Sequence, residues 1–114
     1  MKQSTREEGV RGETAAERYL KDKGYEILDT NFVCYVGEID IVARDGKTLV
    51  FVEVKSRQSL DYGRPIEAVT PSKVKKIRRT AEFYTLKNRR MDDDLRFDVV
   101  EILRGEITHT KNAF

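Results

Sequence analysis

The segment Thr48 to Lys55, TLVFVEVK, constrains the fold of this chain more than any other. Side chains alternate along a strand, so Val50, Val52 and Val54 share one face while Leu49 and Phe51 occupy the other. A strand that is apolar on both faces must be covered on both. The chain therefore has to build a sheet with packing above and below it. It has 114 residues for this, which suits a single small domain over 1–114. Apolar residues make up 39% of the sequence, enough for such a core, while the charged share of 37% exceeds the usual ~25%. No apolar stretch approaches the ~18 residues that cross a bilayer. The opening MKQSTREEG has no apolar signal segment, and Cys34, the single cysteine, has no partner for an internal disulfide. A protein of a reducing cytoplasm is expected, rather than a membrane protein or a disulfide scaffold.

Local signals give the other elements. Ser4-Thr5-Arg6-Glu7 resembles a capping box, so a first helix is expected from there or just after Gly9. Glu13, Ala16, Glu17 and Leu20 share one face of it, and Gly24 suits its C-terminal end. Strands are expected over 25–32 and 38–44, ahead of the 48–55 strand, with a loop or short turn over 65–69. Thr70-Pro71 reads as an N-cap and first-turn proline, and Val74, Ile77, Ala81 and Tyr84 then recur at helical spacing. A fourth strand is expected over 95–103, with a short edge strand past Gly105 through Ile107. The order is α-β-β-β-α-β plus an edge strand, an α/β fold. The second helix makes a crossover, so the third and fourth strands should run parallel and the connection right-handed, giving a mixed sheet.

Asp45-Gly46 is a strong hairpin signal. Taken as a two-residue loop, it pairs Arg44 with Lys47 and hence Asp40 with Phe51. Asp40 then projects to the same face as Glu53 and Lys55 and lies diagonal to Glu53, roughly 7–8 Å away between backbones. Glu53 and Lys55 end a mostly buried strand, where an unpaired charge costs several kcal/mol. A salt bridge through Lys55, a solvent-exposed strand end, or a cation held between the two acids would offset that. Hard cations such as Mg²⁺ bind through one or two carboxylates together with substrate phosphates, and Asp40, Glu53 and the Val54 carbonyl make such a set. Lys55 is suited to orient water or to stabilise negative charge in a transition state. A helical glutamate, Glu13 or Glu17, is available to complete the site, and periodicity does not choose between them.

Charge is uneven along the chain. From Lys73 to Arg90 eight basic residues stand against Glu82, a charge of +7, which leaves −5 for the rest of a chain of net charge +2. A basic stripe beside an acidic site suits a phosphate backbone, whose neutralisation releases condensed counterions. A solvated helix face is the plainer reading. Within the stripe Tyr84 falls on the core side, while Phe83 is the better candidate for stacking on a base. Arg57 and Arg64 flank the loop after the site and are in reach of phosphate. His109 shows no partner in the sequence and is expected to be structural. Cys34 falls in a loop-like stretch without nearby ligands, and Asp92-Asp93-Asp94 reads as a solvated turn.

Asp40, twelve intervening residues and Glu53-Val54-Lys55 resemble the PD-(D/E)xK nuclease signature, with Ile39 where that signature has proline. The surrounding residues extend the likeness. They are Gly12-Glu13 with Ala16, Tyr19, Leu20 and Gly24-Tyr25, then Asn31 and Gly37-Glu38-Ile39-Asp40, then Val50-Phe51-Val52 ahead of Glu53 and Arg57 after it. Gly63, Pro65, Glu67-Ala68-Val69, Lys73, Arg96-Phe97-Asp98-Val99-Val100 and Asn112-Ala113-Phe114 follow. Over nearly its whole length the chain resembles the YraN family of small bacterial proteins, which is similar to archaeal Holliday-junction resolvases. The resemblance implies a restriction-endonuclease-like fold and a Mg²⁺-dependent endonuclease, with Mn²⁺ as a substitute ion, that hydrolyses DNA phosphodiester bonds and takes branched DNA. It implies Asp40, Glu53 and Lys55 as the catalytic set, with Asp40, Glu53 and Val54 on the metal. Resolvases of this type carry a helical glutamate eleven residues before a Gly-aromatic pair. Glu13 stands eleven before Gly24-Tyr25, so it is preferred to Glu17 as a further catalytic and metal residue. Lys73, Lys76, Arg57 and Arg79 become the expected DNA contacts, and symmetric cutting of two strands implies a homodimer. The alternatives are a non-catalytic nucleic-acid binding module that keeps the nuclease fold, and a scaffold whose basic helix binds an acidic partner.

Overall fold

Five strands, β1 (Glu26–Cys34), β2 (Gly37–Asp45), β3 (Thr48–Arg57), β4 (Asp94–Leu103) and β5 (Glu106–Thr110), lie in that order across one sheet. The computed structural model describes residues 14–57, 70–90 and 93–114. The start of the first helix, Glu13, Arg64, the 65–69 loop and Asp92 lie outside them. Strands β3 and β4 run parallel and the other neighbours antiparallel, which is the mixed sheet expected from the order of elements. A parallel pair needs a long connection, and helix α2 (Pro71–Lys87) lies within it. The Thr70 hydroxyl accepts the Lys73 N–H at 3.2 Å, and Pro71 opens the first turn, where no intrahelical donor is lost. Helix α1, described over 14–22, gives way at Gly24, whose φ of +92° glycine adopts without strain. Among the described residues no helix is long and apolar enough to cross a membrane.

Both faces of β3 are covered, as its sequence requires. Val50 and Val52 pack with Ala16 and Leu20 of α1 and with Ile41, Ala43 and Val100. Leu49 and Phe51 pack with Ile77, Ala81 and Tyr84 of α2 and with Phe97. The Phe51 ring stacks on Phe97 at 5.5 Å and meets Tyr84 edge-on at 5.8 Å. Each such side chain contributes about 1.5–3 kcal/mol on burial, and this is what holds the two helices to the sheet. Ile39 breaks the alternation, since it is buried with the α2-side group although Ile41 and Ala43 belong to the other. The β2–β3 ladder stops at Ile41↔Val52, so Ile39 lies where β2 has parted from β3.

The hairpin register differs from the one expected. Asp45 pairs with Thr48, Arg44 with Leu49 and Val42 with Phe51. The loop is therefore Gly46-Lys47 and not Asp45-Gly46. Gly46, at φ +62°, holds the first central position, which a type II′ turn gives to glycine, whereas an Asp-Gly loop presumes type I′. The correction takes Asp40 away from Phe51, which pairs with Val42, and leaves it one residue beyond the last paired position, Ile41↔Val52. The pairing shifts by two, an even number, so the paired side chains keep their faces. Strand β1 also runs further than expected, with Cys34 as its last residue, paired to Gly37, instead of lying in a loop. A bulge between Ile27 and Asp29 and the left-handed backbone of Asn31, at φ 53°, disturb the alternation that would have revealed it.

A buried carboxylate ties β5 and the C-terminal residues to the sheet. Asp98 on β4 has no solvent exposure. Arg96 donates to it through Nε at 2.9 Å and Nη2 at 3.0 Å, and the Asn112 backbone N–H donates at 3.0 Å. His109 Nε2 lies 2.7 Å from the same carboxylate, which fixes that nitrogen as a donor, while Nδ1 meets the Tyr19 hydroxyl at 3.2 Å. Arg96 also donates to Asp45 at 3.0 Å and to the Tyr25 hydroxyl oxygen at 2.6 Å. His109 thus has partners that the sequence did not reveal, and it is a structural bridge between α1, β4 and β5. Burial pushes the Asp98 carboxyl up. Arg96, His109 and the Asn112 N–H outweigh this and hold it below its ordinary value.

Candidate functional site

Where β2 and β3 separate, the side chain of Asp40 enters the gap and its Oδ2 accepts the Val54 N–H at 2.8 Å. A cleft of about 290 Å³ opens there between the strands and the N-terminal half of α2. Asp40, Glu53, Val54, Lys55, Lys73 and Lys76 all line it. The structure thus brings together six of the residues singled out from the sequence. Asp40, Glu53 and Lys55 meet because the even register shift preserved their common face. Lys73 and Lys76 join them because α2 packs across that face with Ile77 on the core.

Glu53 is the electrostatic centre of the cleft, with its side chain 8% exposed. Its Oε2 lies 3.1 Å from Lys73 Nζ and 3.7 Å from Lys55 Nζ. The closer ion pair is therefore the one to the helix and not the one to the neighbour on β3. Sequence spacing gave no sign of this, because Lys73 lies twenty residues beyond Glu53. Burial, and then the adjacent Lys73, push the Lys55 ammonium below its ordinary value, against the pull of Glu53 and Asp40. Lys73 moves the other way. Burial opposes its rise and is outweighed by the adjacent Lys55 and by the charges of Glu53 and Asp40.

The donors present fit a small hard cation, since two carboxylates and a strand carbonyl at Val54 offer oxygen alone. Among the described residues no group of three or more acidic, His or Cys side chains is placed to hold a metal ion. Glu13, expected to complete the set, lies outside the described residues. Arg79 is exposed on α2 but does not line the cleft, and Arg57 ends β3 with its side chain outside the described part. Thr80, which also lines the cleft, was missed by the sequence reading. It is fully buried, and its hydroxyl donates to the Lys76 carbonyl at 2.8 Å. A β-carbon at Gly37 would lie 3.1 Å from its Oγ1, so the glycine lets β2 close onto α2. Gly37, just ahead of Glu38-Ile39-Asp40, was the available signal.

The family model described as "Uncharacterised protein family UPF0102" matches residues 12–102, a span that holds every residue of the cleft. Relatives named UPF0102 protein show the same extent of likeness. The one from Persephonella marina is 47% identical over 93% of this chain and 91% of its own length. That of Caldicellulosiruptor saccharolyticus is 45% identical over 96% and 98%, and that of Lachnoclostridium phytofermentans 50% over 94% and 92%. With the match running through both helices and β1 to β4, the chain belongs to the UPF0102 family, the YraN family that its sequence resembles.

Proposed function

We propose that this protein is a divalent-metal-dependent endonuclease that hydrolyses DNA phosphodiester bonds, with branched DNA as its substrate. The reading is carried by the convergence of Asp40, Glu53, Lys55 and Lys73 in one cleft beside a basic helix. A module that merely bound phosphate would gain nothing from two carboxylates turned toward the anion, and burying Glu53 costs several kcal/mol. A Mg²⁺ ion held by Asp40, Glu53 and the Val54 carbonyl, with Mn²⁺ as substitute and Glu13 as a further ligand, supplies polarisation of the phosphodiester and activation of water. The chain's own groups do the rest. Lys55 presents its ammonium to the negative charge that grows on the phosphoryl oxygens as water adds. Lys73 holds the Glu53 carboxylate in place, and Lys76 offers a cation to the backbone on the helix side, with Arg57 and Arg79 further along. The water oxygen bonds to phosphorus, the bond to the leaving sugar oxygen breaks, and that oxygen takes up a proton. Cutting two strands at a junction needs two such clefts, so the active form is a homodimer, which sedimentation at rising concentration tests.

The experiment is incubation of the protein with single-stranded, duplex, flap and four-way DNA in Mg²⁺, Mn²⁺ or EDTA. Cleavage is expected with either ion, none with EDTA, and none with Asp40→Asn or Lys55→Ala, whose circular dichroism should match the parent. Salt-sensitive binding without cleavage of any DNA under either ion would overturn the proposal in favour of a binding module.

A further inference from the structure

We infer that Tyr35 and Phe83 form a stacking platform for an unpaired base beside the cleft, so that the DNA taken by this protein carries single-stranded nucleotides next to the bond at Asp40 and Glu53. This deepens the nuclease reading and rests on it for the position of the bond.

Tyr35 lies in the turn between β1 and β2 and is 85% exposed, and Phe83 on α2 is 36% exposed. Their rings meet edge to face with centroids 5.8 Å apart. Phe83 is backed by the buried Phe32 at 6.4 Å, so the platform rests on the core. Large aromatic rings left in water are costly unless something covers them. The platform adjoins the cleft on both of its elements. Gly37, two residues after Tyr35, lines the cleft, as does Thr80, which precedes Phe83 by about 4.5 Å of helix rise.

Charge selects the occupant. Lys76 and Arg79 stand on α2 ahead of Phe83, and Lys87 Nζ lies 5.7 Å from the Phe32 ring centroid. A second copy docked here would set this basic helix against itself. A nucleotide brings both things the surface lacks, a flat π face for the rings and an anion for the cations. Duplex DNA keeps its bases stacked on one another, so the platform selects unpaired ones.

The test is fluorescence anisotropy in EDTA, where cleavage is absent, with labelled oligothymidylate and a blunt duplex of equal length. The parent should bind the single strand more tightly. Tyr35→Ala should weaken that binding at least about fivefold and leave duplex binding unchanged. Tyr35→Trp should keep the affinity, and its emission should be quenched by the single strand and not by the duplex. Tyr35 is exposed, so neither change threatens folding. Equal single-strand affinity in Tyr35→Ala, or equal quenching by both DNAs, overturns the inference. If the Tyr35-dependent preference stands while no DNA is cut, the nuclease reading fails alone. Cleavage with no dependence on Tyr35 defeats the platform alone.

Discussion

Asp98→Ala tests the buried network most directly. Four donors are arranged around the Asp98 carboxylate, two from Arg96 and one each from His109 and the Asn112 backbone. Without it, Arg96, whose side chain is 19% exposed, keeps Asp45 and Tyr25 but loses its two shortest-range anionic contacts on β4. The Asn112 N–H and His109 Nε2 lose their acceptor. Removing one member of a buried ion pair costs about 3–5 kcal/mol, against a total stability of about 5–15 kcal/mol for a domain. At about 4–8 °C per kcal/mol for a domain near this size, Tm should fall by more than about 12 °C. Asp98→Asn keeps the shape and one acceptor oxygen but loses the charge, so a smaller loss of about 1.5–3 kcal/mol is expected. The sign of the pH effect follows from the lowered pKa. The folded chain holds Asp98 ionised below its ordinary value of 3.8, so as pH falls the unfolded chain takes up the proton first. The stabilisation is full above that value, shrinks as pH drops below it, and is gone beneath the folded pKa. Thermal melts followed by circular dichroism from neutral pH down to about 3 read both effects. A Tm change under about 4 °C in Asp98→Ala, or acid sensitivity in Asp98→Asn equal to the parent's, would refute the reasoning.

Three further outcomes are expected. Thr70→Ala removes the hydroxyl that caps α2, and urea unfolding should show about 1 kcal/mol of lost stability at constant m-value. Gly37→Ala forces its β-carbon against Thr80 Oγ1, so it should lower Tm, and adding Thr80→Ala should recover part of the loss in a double-mutant cycle. DNA affinity should fall steeply with salt, and Lys76→Ala should reduce the slope of log K against log salt by about 1 while weakening all sequences alike.

The legible parts of this chain are those where one physical rule acts alone. TLVFVEVK could be read because both of its faces are buried, and that reading alone put Glu53 and Lys55 on a common face. Thr70-Pro71 marked the start of α2 because capping is local. The hairpin was misregistered because one glycine serves two mirror-image turns, and the choice between them lies in backbone angles that residue types do not reveal. Asp40 still lines one cleft with Glu53 and Lys55, because side-chain faces repeat every two residues. What stayed hidden was long-range. His109 meets Tyr19 across ninety positions, and Lys73 reaches Glu53 once α2 has folded back over the sheet. No period or spacing in the sequence encodes such meetings.

The bond from the Val54 amide to Asp40 means that a side chain serves as one rung of the sheet exactly where the backbone ladder has run out. Shortening that side chain therefore unzips β-structure as well as removing charge, and an inactive alanine variant would report on architecture as much as on chemistry. Asparagine keeps an oxygen for the rung. The same arrangement makes the Val54 amide proton a built-in reporter. Its NMR shift and exchange rate register what happens to the Asp40 oxygen before any DNA is added.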